Sequence, residues 1–298
     1  MKPGDELCDV LLLAAGRGER LGGETSKARV QLSGIPLFLH ALRALASQPR
    51  IERIVLVAPA APEGELDEIR SLAEKDGHPQ LFAVVPGGEK RQDSAWAGLR
   101  VLKESGTQED RIVLVHDAAR PNVSARLIER CVTALRAPLP ETEQGRLPGV
   151  GARREWGGGP AGAIPGLPVR ETLKMVFDGR VVLTQPREGL YAVQTPQAFR
   201  FGPLYQAHRR AREMEVYATD DAGLLEWLGI PVRLVEGESA NLKVTYPEDL
   251  VLAEHLARLR GDPGVEPRPG PRPQERPRGG QSQGGRSPGG RHTEGRRR

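Results

Sequence analysis

Short apolar runs alternate along this chain with longer stretches of helical period. Residues 9–15 (DVLLLAA) are apolar on both sides and stop at Gly16, the pattern of a strand buried on two faces. Residues 53–58 (RIVLVA), 80–85 and 111–116 (RIVLVH) predict three more strands. Between the first two, residues 36–47 place Leu37, His40, Ala41, Ala44 and Leu45 on one helical face. A charged helix is expected from about 63 to 75. Another follows Pro86-Gly87-Gly88, with Ser94, Ala95, Gly98, Leu99 and Leu102 along it. Ser124 reads as the cap of a helix running to about 137. This alternation predicts an α/β fold with a parallel sheet covered on both faces. The ligand end of such a sheet lies beyond the carboxyl ends of its strands. Three loops then share one rim: Ala15-Gly16, Gly87-Gly88 and His116-Asp117.

Past 138 the periodicity dissolves into proline and glycine, and 138–160 is expected to be a flexible insertion. Runs of β type follow at 167–172, 174–177, 181–183 and 191–194, with Asp178-Gly179 as a hairpin turn. A helix near 201–212, a helix opened by Thr219-Asp220-Asp221, a strand at 231–235 and a helix at 247–259 complete the body.

Charge changes this picture only at the end of the chain. The 298 residues carry 43 basic and 39 acidic side chains, a net of +4. Residues 261–298 hold nine arginines against four acids (Asp262, Glu266, Glu275, Glu294), so the body is close to neutral. That tail also has ten glycines and seven prolines, cannot bury enough to order itself, and is expected to be disordered. It has no aromatic side chain for base stacking, and a solvated extension is favoured over a nucleic-acid contact. Two cysteines, Cys8 and Cys131, exclude a disulfide framework and a four-cysteine zinc site, and predict a reducing, cytoplasmic setting. No apolar run approaches the ~20 residues of a membrane helix, and the first ten residues lack a secretory pattern.

Candidate chemistry sits on the predicted rim. Ala14-Ala15-Gly16-Arg17-Gly18-Glu19-Arg20-Leu21, followed by Ser26-Lys27, joins glycines to three cations. Bare backbone N–H groups can cradle a phosphate there, and the cations suit a triphosphate. The third glycine falls one place late for a dinucleotide fingerprint, and Lys27 follows no glycine as a P-loop requires. Taken alone, the segment is equally a glycine turn with solvated charges. Gly87-Gly88-Glu89-Lys90-Arg91-Gln92-Asp93-Ser94 permits backbone contact with a base or ribose, and is also an ordinary strand-to-helix turn. His116-Asp117-Ala118-Ala119-Arg120-Pro121 offers a carboxylate for Mg²⁺ or a hydroxyl and a guanidinium for a phosphate, or else a plain surface pair. Thr172, Lys174, Arg187, Gln194-Thr195-Pro196-Gln197, Thr219-Asp220-Asp221 and Asn241-Leu242-Lys243-Val244-Thr245 suit a small polyol phosphate, although each reads individually as a cap or turn.

In this order the segments AAGRGERLG…SK, GGEKRQDS, VHDAARP, VRETLK, QTPQAF, ATDDAGLLE and NLKVTYPEDL resemble the 2-C-methyl-D-erythritol 4-phosphate cytidylyltransferase family, over about residues 8–257. The resemblance implies a Rossmann-like, mostly parallel sheet of nucleotidyltransferase type with a protruding β-arm at about 165–190, within a domain of residues 1–260. It implies attack of a sugar-alcohol phosphate on the α-phosphorus of CTP, with Mg²⁺ and a homodimer formed through the arm. A phosphate monoester has its second pKa near ~6 and needs no general base, which fits the lack of an obvious Ser–His–Asp set or carboxylate pair.

By similarity, Arg20, Lys27, Arg187 and Lys243 carry the catalytic charge, with Arg187 reaching the partner subunit's site. Ala14, Ala15, Gly16, Gly18, Gly87, Gly88, Arg91 and Ser94 match nucleotide contacts, Lys90 competing with Arg91. Asp117, Arg120, Thr172, Thr195 and Thr219 match polyol-phosphate contacts, and Asp117 is the candidate metal ligand. Ser26 stands where many members have proline. The chain after 260 is too short and polar for the cyclase domain of fused members, so one activity is expected. Alternatives are another polyol-phosphate or sugar nucleotidyltransferase (a ribitol-phosphate cytidylyltransferase, for example), a dehydrogenase, and a nucleic-acid-binding protein acting through the tail.

Overall fold

The structure is a computed structural model, and it describes residues 6–16, 18–21, 26–138 and 160–260. The body of the expected insertion, the expected disordered tail, Arg17 and Gly22 lie outside the described residues. The strands are β1 (Cys8–Leu13), β2 (Gln31–Leu32), β3 (Ile35–Pro36), β4 (Ile51–Ala58), β5 (Leu81–Pro86), β6 (Ile112–Asp117), β7 (Gly162–Pro168), β8 (Leu173–Phe177), β9 (Arg180–Gln185), β10 (Tyr191–Val193), β11 (Gln197–Arg200) and β12 (Val232–Glu236). The helices are α1 (Leu37–Ala46), α2 (Glu65–Lys75), α3 (Arg91–Glu104), α4 (Ala125–Ala134), α5 (Phe201–Glu213), α6 (Asp221–Trp227) and α7 (Pro247–Arg260).

β5, β4, β1 and β6 lie side by side and parallel, as their continuous apolar runs predict. Every residue of β1 and β6 is buried. Two apolar clusters cover the sheet: Phe38, Leu42, Leu45 and Ile69 pack on one face, and Leu99, Leu102, Phe201 and Leu204 on the other. Beyond β6, the antiparallel β11 joins β7, which also pairs with β10 and, in parallel, with β12. Since β4 and β5 extend the sheet on one side of β1 and β6 on the other, the chain reverses its winding direction at β1. A crevice therefore opens past the ends of β1 and β6.

Three boundaries differ from the sequence reading. The β run expected at 167–172 is a strand five residues earlier, Gly162–Pro168. Its glycines serve close packing: a Cβ on Gly162 would lie 2.8 Å from the Phe199 ring. β11 was not expected at all. The helix after Ser124 stops at Ala134, with the Ser124 hydroxyl accepting from the Leu127 amide at 3.0 Å. β8 and β9 form a two-stranded sheet of their own, turning at Asp178 and Gly179, both with positive φ.

Candidate active site

The carboxyl ends of β1, β5 and β6 border a cleft of about 380 Å³. Leu13 through Gly16, together with Gly18, Arg20 and Lys27, form one wall. Gly88 through Arg91 and Ser94 form a second, and Asp117, Ala118, Ala119, Lys243 and Thr245 the third. All three loops expected on one rim thus meet, and Lys243 joins them from the segment before α7.

Local geometry explains the small residues. Gly18 has φ +72°, the left-handed region that disfavours a side chain, and a Cβ there would sit 3.0 Å from the Lys27 backbone nitrogen. The loop folds back on itself, with the Lys27 amide donating to the Gly16 carbonyl at 3.2 Å and the Leu21 amide to Gly18 at 2.8 Å. Ser26 takes φ −59°, the value a proline would impose, so this backbone would also accept proline at that position. Gly87 lies behind the lining: a Cβ on it would fall 2.5 Å from Ala15 Cβ, so its absence lets the β5 loop press against the β1 loop. The Ser94 hydroxyl closes that turn by accepting from the Gly88 amide at 3.2 Å.

Asp117 is the electrostatic hub. Its Oδ2 accepts from Lys243 Nζ at 2.7 Å and its Oδ1 lies 3.3 Å from Arg91 Nε. Burial alone would raise its pKa, but Arg91 and Lys243 outweigh it and hold the carboxyl far below its usual range. Burial and the nearby Lys243 ammonium lower the Lys27 pKa as well, to about 8, which weakens its charge where Asp117's is secured. Arg20 is exposed, its guanidinium 5.8 Å from the centre of the Tyr246 ring. Both Lys90 and Arg91 line the cleft: Lys90 Nζ lies 3.2 Å from the centre of the Tyr217 ring, whereas the Arg91 guanidinium pairs with Asp117 and Asp221.

Lys27 titration gives a pH signature. Affinity of the free protein for a phosphate-bearing ligand is expected to fall as pH rises through about 8, because the neutral amine no longer attracts phosphate. Lys27→Arg should erase that limb. A profile that stays level well above this pH in the unaltered protein would refute the assignment.

Two expected substrate contacts, Arg120 and Thr195, bond to the chain itself and are not among the residues lining the cleft. Arg120 is buried, with Nη1 donating to the Asn241 carbonyl at 2.8 Å and Nη2 to the Val193 carbonyl at 3.3 Å, which ties it to the Lys243 segment. Thr195 Oγ1 accepts from the Asp117 amide at 3.0 Å and donates to His116 Nδ1 at 3.1 Å, while His116 Nε2 donates to the Arg120 carbonyl at 3.1 Å. The carbonyl can only accept, which fixes this tautomer. Burial lowers the His116 pKa to about 4, so the ring is a neutral strut. Thr172, Arg187 and Thr219 are exposed and do not line the cleft; Arg187 donates to the Arg170 carbonyl at the base of the β8–β9 hairpin. Asp221, which pairs with Arg91, and Thr245, which lines the cleft, lie in segments that the sequence marks as candidate polyol-phosphate contacts, but neither was given a role of its own.

The same geometry bears on a metal. Both Asp117 oxygens already face cations, and no cluster of three or more histidine, cysteine or acidic residues occurs among the described residues. These residues do not fit a metal ion held by the protein alone.

Residues 8–145 and 154–258 match the family model of 2-C-methyl-D-erythritol 4-phosphate cytidylyltransferase (IspD). The chain belongs to this family. The gap in the match falls inside the expected insertion. A cytidylyltransferase of that name from Pelotomaculum thermopropionicum is 41% identical over 252 residues, covering 84% of this chain and 94% of its own. A bifunctional IspD/IspF enzyme from Desulforudis audaxviator is 41% identical over 255 residues, 85% of this chain and 57% of its own length. The crystal structure of the cytidylyltransferase from Thermus thermophilus aligns with a TM-score of 0.59 at 32% identity, covering 85% of this chain and 99% of that one. The fold is that of the IspD nucleotidyltransferases, and membership in this family disfavours the dehydrogenase reading. No helix among the described residues is long and apolar enough to cross a membrane.

Proposed function

We propose that the chain transfers CMP from CTP to 2-C-methyl-D-erythritol 4-phosphate, releasing pyrophosphate, as a step in isoprenoid precursor synthesis. The observation that carries this reading is the convergence of Arg20, Lys27, Arg91 and Lys243 on one cleft built from glycine loops. Two phosphoesters repel each other, and attack on the α-phosphorus adds charge to the triphosphate. Fixed cations in a partly desolvated cleft offset both effects. The nucleophile is already largely deprotonated at neutral pH, and the chain contributes position and charge. Backbone groups of Ala14, Ala15, Gly16, Gly18 and Gly88 cradle the nucleotide in this reading, and Asp117 and Lys243 orient the acceptor. Mg²⁺ arrives with the triphosphate. The two cysteines are buried free thiols, which suits a cytoplasmic enzyme.

The arm completes the proposal. Met175, Val176, Phe177, Val181, Val182 and Leu183 are all exposed on the β8–β9 hairpin, Phe177 by 72%. Apolar side chains exposed on both faces of a hairpin favour burial against a second copy. The homodimer formed in this way brings Arg187, and with it Thr172, to the partner subunit's cleft. Mixed dimers of Lys27→Ala and Arg187→Ala chains are then expected to recover activity that neither variant has alone, since one of two sites is intact. Dimers that form without recovery place Arg187 in its own chain's reaction.

The direct test is incubation with each nucleoside triphosphate, Mg²⁺ and methylerythritol phosphate, with pyrophosphate measured. Release with CTP alone is the expected result. Faster turnover of ribitol phosphate would move the assignment to the alternative polyol-phosphate enzyme.

A further inference from the structure

Behind the cleft runs a line of buried polar groups to which neither the resemblance nor the mechanism gives a role. His208 on α5 and Asp221, the first residue of α6, are 0% and 1% exposed. His208 Nε2 donates to Asp221 Oδ1 at 2.9 Å, and Asp221 Oδ2 accepts from Arg91 Nη1 at 2.6 Å. Arg91 opens α3 and reaches Asp117 through Nε. Its remaining terminal nitrogen, Nη2, is buried with no hydrogen-bond partner among the described residues, and Arg91 lines the cleft. A buried guanidinium donor without an acceptor is unfavourable, so it marks a place where an anionic or hydroxyl oxygen of a ligand is favoured.

We infer that Asp221, held by His208, is a positioning residue that fixes the Arg91 guanidinium so that one edge meets Asp117 and Nη2 serves the bound substrates. The inference rests on the nucleotidyl-transfer reading of the cleft. Three observations favour it over simple packing. A carboxylate with both oxygens engaged by donors on two different helices defines the rotation of a planar fork, which an apolar neighbour cannot do. The same stretch is fastened to α3 elsewhere: Gln92 donates to the Val216 carbonyl at 3.0 Å and accepts from the Ala218 amide at 3.1 Å, so stability does not depend on Asp221 alone. Burial also opposes the Asp221 charge, and it stays ionised only because Arg91 and the His208 ring N–H compensate. Without Asp221, Arg91 has one carboxylate left and competes with Lys243 for it, which disturbs both walls of the cleft.

The test is a double-mutant cycle read in kcat/KM. Asp221→Asn keeps size and removes the charge. In the unaltered background it is expected to lower kcat/KM by about tenfold, the loss of one charge-assisted hydrogen bond. In an Arg91→Met background it should change kcat/KM less than about twofold, because the group it positions is gone. Equal losses in both backgrounds would assign Asp221 a purely structural role and overturn the inference, as would an unchanged kcat/KM in the first. Should Asp221→Asn fail to fold, His208→Leu enters the same cycle, with an expected loss of about threefold that again vanishes with Arg91→Met. CTP affinity by calorimetry is measured across the cycle. If the unaltered protein forms no cytidylyl product, the reading of the cleft fails while the coupling is still read in affinity, and absence of CTP binding overturns both.

Discussion

Lys27→Ala is expected to lower kcat by about a hundredfold to a thousandfold while the thermal midpoint moves by a few degrees at most. The size follows from what one preorganised charge contributes to a transition state in a partly desolvated site. The small change in stability follows from the position of Lys27, on a loop that its backbone, not its ammonium, holds in place through Gly16 and Gly18. Its lowered pKa of about 8 shows that burial and Lys243 already work against the charge, so removing it relieves repulsion before substrate arrives. Stopped-flow or steady-state pyrophosphate release, with circular dichroism on the same samples, checks both halves. Turnover within threefold of the unaltered protein would remove Lys27 from the reaction.

Asp117→Asn is expected to destabilise the fold by about 3–5 kcal/mol, roughly a 10 °C fall in midpoint, and to abolish turnover. Asp117 is the shared counter-charge of Arg91 and Lys243, and the amide leaves Lys243 facing Lys27 without its carboxylate while Arg91 keeps only Asp221. The pH dependence has a definite sign. The folded-state pKa of Asp117 lies below its unfolded value, so its stabilisation is full above the ordinary carboxylate range and is lost as pH falls toward the folded pKa. Acid unfolding of the unaltered protein should therefore show a steeper limb below about pH 4 than that of Asp117→Asn. Coincident acid limbs would show that Asp117 is not the hub.

The parallel half of the fold was legible because β1, β4 and β6 are buried on both faces and read as unbroken apolar runs. Their order along the chain then placed the glycine loops and Asp117 on one rim. The antiparallel half was harder. β7 carries Gly162, Pro165 and Gly166, which punctuate a sequence locally, yet it lies between three neighbours that need those small residues for close approach. β11 is four residues long and abuts α5, so its Ala198 and Phe199 merge into the helical pattern. At the site, residue type and loop position pointed to Lys27, and the family resemblance to Lys243 and Arg91; all three line the one cleft. Which oxygen or nitrogen each group faces depends on tertiary contacts separated by up to 130 residues in sequence, as between Arg91 and Asp221. Arg120 and Thr195 show the same limit: a guanidinium and a hydroxyl beside a cleft look alike in sequence whether they turn toward a ligand or toward a carbonyl.

The surplus of ammonium and guanidinium groups over carboxylates in the cleft acts on the way out as well as on the way in. The by-product of the proposed reaction carries more negative charge per atom than either reactant, and the field that gathers the triphosphate also retains it. The same cations therefore oppose departure of the diphosphate fragment, and a hydrolase that consumes the freed fragment would keep it from returning to the cleft.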